Sequence, residues 1–114
     1  MAISTVNIEE GMPTVRQAKA RMEEGFSRAR AQYVQAVKVI HGYGSSGKGG
    51  AIREDIRKTL SDYKRAGRIK DYCAGENFEP FHEDGRRVAQ AMPELRRDID
   101  YTRRNAGITI VILR

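Results

Sequence analysis

The sequence predicts an α/β fold, an α+β two-layer sandwich in which two helices pack on a mixed four-stranded sheet. Compact β-branched runs at residues 37–40 and 108–113, and a looser alternating run at 3–8, are separated by long segments with apolar residues at helical spacing. Two strand–helix–strand units in succession require crossover connections, with the helices laid against the sheet. Each helical segment carries one apolar stripe, which suits one buried face. The 114 residues fit a single domain over 1–114.

The elements follow in chain order. Val6 and Ile8 share one face of the opening strand, which Gly11 and Pro13 terminate. Thr14 and Gln17 form the pattern of a capping box. Val15, Ala18, Met22, Phe26, Ala29 and Tyr33 then mark the core face of the first helix, with Gly25 outside the stripe. Val37, Val39 and Ile40 make a buried strand that stops at His41-Gly42. Ile52, Ile56, Leu60 and Tyr63 mark the second helix, which Gly67 ends. Ile69, Tyr72 and Cys73 give a weak third strand, and Ile108 to Leu113 a strong last one, apolar but for Thr109 and therefore central in the sheet. Residues 74–106 read as a polar excursion on the surface, with one short helix through Val88, Met92 and Leu95.

With 39% apolar and 32% charged residues, the chain has the composition of a folded protein rather than a disordered one. No apolar run reaches the ~18 residues of a membrane span, and no leader pattern is visible. The single cysteine, Cys73, excludes an internal disulfide and a Cys-based zinc site. A reducing cytoplasm, with no membrane partner, is the expectation. The formal charge of +6 is unevenly placed: residues 28–70 hold eleven basic and three acidic side chains, whereas the segments on either side are each net −1. Such a field attracts a polyanion, or else belongs to a solvated helix face.

The sharpest feature is the loop after the second strand, His41-Gly42-Tyr43-Gly44-Ser45-Ser46-Gly47-Lys48-Gly49-Gly50, which leads through Ala51 and Ile52 to Arg53. Five glycines in nine residues let the backbone turn tightly and approach a ligand. Its amides precede a helix, where unpaired donors and the dipole favour an anion, with Lys48 and Arg53 adding counter-charge. Gly42-x-Gly44-x-x-Gly47 matches a dinucleotide fingerprint, but it follows the second strand rather than the first. Gly42 to Lys48 matches a phosphate-loop pattern, but Gly49 replaces the hydroxyl that would hold magnesium. His41 at the strand end reads either as a hydrogen-bonded structural residue or as an acid–base group.

Residues 37–60, VKVIHGYGSSGKGGAIREDIRKTL, resemble the Smr domain family, the small MutS-related module. His41, Gly42, Gly44, Ile52 and Arg53 fall on its second motif, and residues 107–113, GITIVIL, resemble its last strand. The resemblance implies a β-α-β-α-β-β two-layer sandwich, similar to the C-terminal domain of a bacterial translation initiation factor. It also implies binding to DNA or RNA, with cleavage in several members. The nucleases typically carry Leu-Asp-x-His-Gly on the first strand; here Asn7 stands for the Asp, Glu9 for the His, and one residue is inserted before Gly11.

The leading expectation is therefore a nucleic-acid-binding domain whose glycine loop grips a backbone phosphate, with Lys38, Lys48, Arg53 and Arg57 drawing in the flanking chain. Tyr43 either stacks on an unpaired base or packs over the loop. The alternatives are an endonuclease using His41 with Glu9, the one reading that calls for Mg²⁺ or Mn²⁺, and a module for a phosphorylated small molecule or an acidic protein. No metal ligand set is assigned.

Overall fold

A computed structural model describes residues 3–43 and 47–114. Strand β1 (Ile3–Asn7) runs parallel to β2 (Ala36–Ile40), the two being joined through helix α1 (Val15–Ala31). Helix α2 (Gly47–Arg65) leads from β2 to β3 (Ile69–Ala74), and both strands run antiparallel to β4 (Ile108–Leu113). The sheet order is β1-β2-β4-β3, mixed and four-stranded, so β4 is central as its apolar run requires.

Local chemistry sets the helix ends. The Thr14 hydroxyl accepts from the Gln17 amide at 3.1 Å while the Gln17 side chain accepts from the Thr14 amide at 2.9 Å, completing the capping box. Gly67, at φ +76°, closes α2: its amide donates to Lys64 O and the Arg68 amide to Tyr63 O, the paired bonds of a Schellman ending. The same two bonds close α1, from Tyr33 to Arg30 O and from Val34 to Ala29 O. Tyr33 is thus not the last residue of the apolar stripe but the left-handed residue beyond it, at φ 59° and 93% exposed. Gly25 also departs from the sequence reading. It is buried against β1, where an added Cβ would stand 2.9 Å from the Val6 Cβ.

Alternation along β2 and β4 divides the core between two faces. Val37, Val39, Val111 and Leu113 join Met22, Phe26, Ile56 and Leu60 beneath α1 and α2. Ala36, Ile108, Ile110 and Ile112 point the other way, where Cys73, Phe78, Val88, Met92 and Leu95 meet them. Residues 74–106 therefore do not form a solvated surface excursion. They supply a cover for the second sheet face, built from a 3-10 turn (Gly75–Asn77), helix α3 (Glu83–Ala91) and a second 3-10 turn (Pro93–Arg97). Pro93, which lacks an amide hydrogen and disfavours helix before it, separates Leu95 from the helix that holds Val88. The apolar residues of this cover come from several short elements, so no single period connects them in the sequence.

Ion pairs fasten the cover. Lys38 shares the face of Ala36 and Ile40, and its Nζ lies 2.7 Å from a carboxylate oxygen of both Asp98 and Asp100. Burial pulls the Lys38 pKa down, but the two aspartates outweigh it and hold it above the usual lysine value. At the other edge, Asp71 on β3 takes Arg87 of α3 at 2.6 and 3.0 Å and Lys64 of α2 at 3.0 Å. Burial pushes its carboxyl up, and these cations more than offset it.

Replacing Lys38 with Met leaves two carboxylates facing each other in a nearly dry site, and should cost about 3 kcal/mol of stability. A fall in the urea midpoint at neutral pH measures it. The Lys38 contribution is complete below the ordinary lysine value of 10.5 and fades as pH rises through the elevated one. Lys38→Met should accordingly flatten the alkaline limb of the stability profile.

Candidate nucleic-acid interface at the ends of β1 and β2

Parallel pairing brings the C-terminal ends of β1 and β2 to one rim. The ladder extends by one bond, from the Ile8 amide to Ile40 O at 2.9 Å. Asn7 then turns the chain, its Oδ1 accepting from the amides of Glu9 and Glu10 at 3.0 and 3.1 Å. This turn carries the Glu9 carboxylate against Gly42. A Cβ on Gly42 would stand 1.7 Å from Glu9 Oε2, and the backbone there is left-handed at φ +79°. Glycine at position 42 is thus demanded by conformation, whereas the exposed Glu9 side chain could swing aside to admit a Cβ.

The amides of His41 and Gly42 both donate to Gly107 O at 3.0 Å, so these two are spent within the protein. Tyr43 is largely exposed, and one edge of its ring would lie 3.3 Å from a Cβ placed on Gly107. Gly44, Ser45 and Ser46 of the expected phosphate cradle lie outside the described residues. Gly47, Lys48, Gly49 and Gly50 form the first turn of α2, which contains no acidic residue. Arg53 follows one turn later, half-buried, and makes no ion pair among the described residues.

His41 is fully buried and both ring nitrogens are engaged. Its Nδ1 lies 2.9 Å from Gly42 O; a carbonyl only accepts, so Nδ1 carries the proton. Nε2 is then the acceptor for the Thr109 hydroxyl at 2.8 Å, and that hydroxyl oxygen accepts from Arg57 Nε at 3.2 Å. Arg57 in turn clasps both Glu76 carboxylate oxygens at 2.9 and 2.8 Å and reaches Ile108 O at 3.2 Å. A directed chain therefore runs from Arg57, which also donates to Glu76, through Thr109 and His41 to the Gly42 carbonyl. Burial, with help from the Arg57 and Arg53 charges, pushes the His41 pKa down to about 4. At neutral pH the ring is uncharged and serves to fix the loop's first residues.

Two residues expected at this rim are committed elsewhere. Lys38 stands on the opposite sheet face between Asp98 and Asp100, because strand alternation turns it away from Val37 and Val39. Arg57 points inward to Glu76 and Thr109 rather than outward to a ligand. Thr109, Glu76 and Gly107 complete the network and were not singled out from the sequence. A hydroxyl alone in the apolar run Ile108 to Leu113 was the available signal for Thr109. Among the described residues, no group of three or more His, Cys, Asp or Glu side chains is placed to hold a metal ion, and no helix is long and apolar enough to cross a membrane.

The His41 value fixes a pH dependence. The unfolded ring takes a proton near 6.5 and the folded ring only near 4, so stability is complete above 6.5 and falls as pH drops through that window. The loss should approach about 3 kcal/mol by linkage. His41→Gln should lower stability at pH 7 and flatten the slope across this window, as read from urea midpoints.

Comparison with known proteins follows the geometry. The family model of the Smr domain matches residues 10–79, a stretch that includes α1, β2, the glycine loop and α2. The chain is also similar to the crystal structure of the Smr domain of Thermus thermophilus MutS2. That match has a TM-score of 0.54 at 21% identity and covers 100% of this chain and 99% of that one. Among curated proteins, none matches the sequence. Since the family model spans more than half of the chain and the whole fold aligns with a solved member, the protein belongs to the Smr domain family.

Proposed function

We propose that this protein binds nucleic acid through backbone phosphate, at the turn between β2 and α2. The observation that carries the reading is the loop's position: a glycine-rich segment enters the N-terminus of a 19-residue helix whose first turn holds no acid. Membership of a family known for nucleic-acid binding and nicking supports it. The amides of residues 43–50 supply the donors, Lys48 and Arg53 the counter-charge, and Tyr43 an exposed ring beside them. Gly42 and His41 hold the entry to the loop and are positioning residues. Arg57 acts through Thr109 and His41, and Lys38 takes no part. Contacts to phosphate carry little base preference and make affinity steeply dependent on salt.

Filter retention of single-stranded RNA and DNA oligonucleotides between about 50 and 200 mM salt tests this. Lys48→Ala and Arg53→Ala should each weaken binding across all sequences and lower the logarithmic salt slope by about 1. An absence of retention at the lowest salt with any oligonucleotide refutes the reading. The same oligonucleotides incubated with Mg²⁺ or Mn²⁺ should remain intact, because the His41 ring has no exposed atom to offer a substrate. Cleavage abolished by His41→Ala would instead establish a nuclease.

A further inference from the structure

The basic segment 28–70 does not gather at the glycine loop. Both helices end at the opposite rim of the sheet, where β2 and β3 begin and β4 finishes. The last turn of α1 brings Arg28 and Arg30 there, and the last turn of α2 brings Lys64 and Arg65. Arg68 lies in the turn that follows, and Arg114 directly after β4. These groups are linked in space. Arg30 Nη2 donates to Arg68 O at 3.3 Å, and Arg114 Nε is 4.0 Å from where a Cβ on Gly67 would stand. The Arg68 guanidinium lies 4.0 Å from the Tyr63 ring centre and 3.7 Å from Glu23, and Tyr63 donates to the same Glu23.

Within this rim a groove of about 280 Å³ is lined by Arg30, Tyr33, Val34, Gln35, Leu113 and Arg114. Tyr33 is its unusual member. The residue is 93% exposed, and its backbone holds φ 59°, at the helix-ending position that glycine normally fills. A tyrosine there costs backbone strain and recovers little by burial. Cations at helix C-termini offset the dipole, which accounts for Arg28, Arg30, Lys64 and Arg65. That effect does not account for Arg114 at a strand end, nor for an exposed aromatic ring in a strained conformation between two arginines. Strained positions of this kind cluster at ligand clamps and other functional sites.

The geometry points to a second nucleic-acid surface at this rim: single-stranded nucleic acid stacks a base on Tyr33 while Arg30 and Arg114 hold the adjoining phosphates. A ring standing clear of the surface suits an unpaired base, since a duplex presents no free base face. The ligand class is that proposed for the loop, but none of the residues is shared, so either site can fail alone.

The test uses a labelled oligo-uridylate of about ten nucleotides and a duplex of equal length, with the full chain. Tyr33→Gly should raise the urea midpoint, because glycine relieves the left-handed strain, and yet weaken single-strand binding by about 5- to 100-fold. Tyr33→Phe should bind nearly as the wild type does. Arg30→Gln combined with Arg114→Gln should lower the logarithmic salt slope by about 1.4. Arg53→Ala, measured in parallel, reports on the loop alone. If it has no effect while Tyr33→Gly does, the loop reading fails and this one stands. Wild-type affinity in Tyr33→Gly, or equal weakening of single-strand and duplex binding by that change, would overturn the inference. So would a pair of arginine replacements that leaves the salt slope untouched.

Discussion

Strand β4 has no polar face to give to water, and both of its sides must therefore be covered. The crossover helices α1 and α2 cover one. The other would lie bare in a chain of only two crossovers, and the residues between β3 and β4 are what fill it. Phe78, Val88, Met92 and Leu95 supply the apolar contact, with Tyr101 set edge-on to Phe78 at 5.0 Å between ring centres. The Lys38 and Asp71 clusters then fix where this layer sits. Charges so deeply placed add little net stability compared with apolar replacements, but each leaves a costly orphan if its partner is lost.

The same layer reaches the opposite side of the protein through one residue. Glu76, in the first turn of the cover, holds Arg57 of α2, and through Thr109 and His41 the connection ends at the carbonyl of Gly42. The mouth of the glycine loop is thus fastened to β4 as well, whose Thr109 lies 68 residues from His41 in the chain. This explains why a histidine at that point is buried and neutral although Tyr43, two residues on, is exposed. The conformation of residues 41 and 42 depends on β4 being in place, since Gly107 receives both of their amides.

Much of the frame was legible in the sequence because local signals agreed with the tertiary outcome. The capping box at Thr14, the stripe from Ala18 to Ala29, the Gly67 stop and the nearly all-apolar run of β4 each state their role within a few residues. The failures share a cause. Tyr33 continues the arithmetic of the stripe, but the helix has already closed, and only the backbone angle reveals it. Gly25 falls off the stripe, yet the helix sits so close to Val6 that a wider face is buried. Residues 74–106 looked polar because their few apolar groups come from three short elements, one after another. Lys38 and Arg57 looked like ligands for a polyanion because their acidic partners are 62 and 19 residues away in the chain. Charge partners at such separations leave no mark on a local reading.

Cys73 sits in β3 facing the second layer, with its sulfur held against Ala74 O at 3.3 Å. Burial pushes its thiol up to about 12, so that essentially none of it is thiolate at physiological pH. A maleimide or disulfide reagent can reach it only when that layer lifts. The lone sulfur is a native clock for the opening of half the core, and its labelling rate would time that opening without the introduction of any foreign probe.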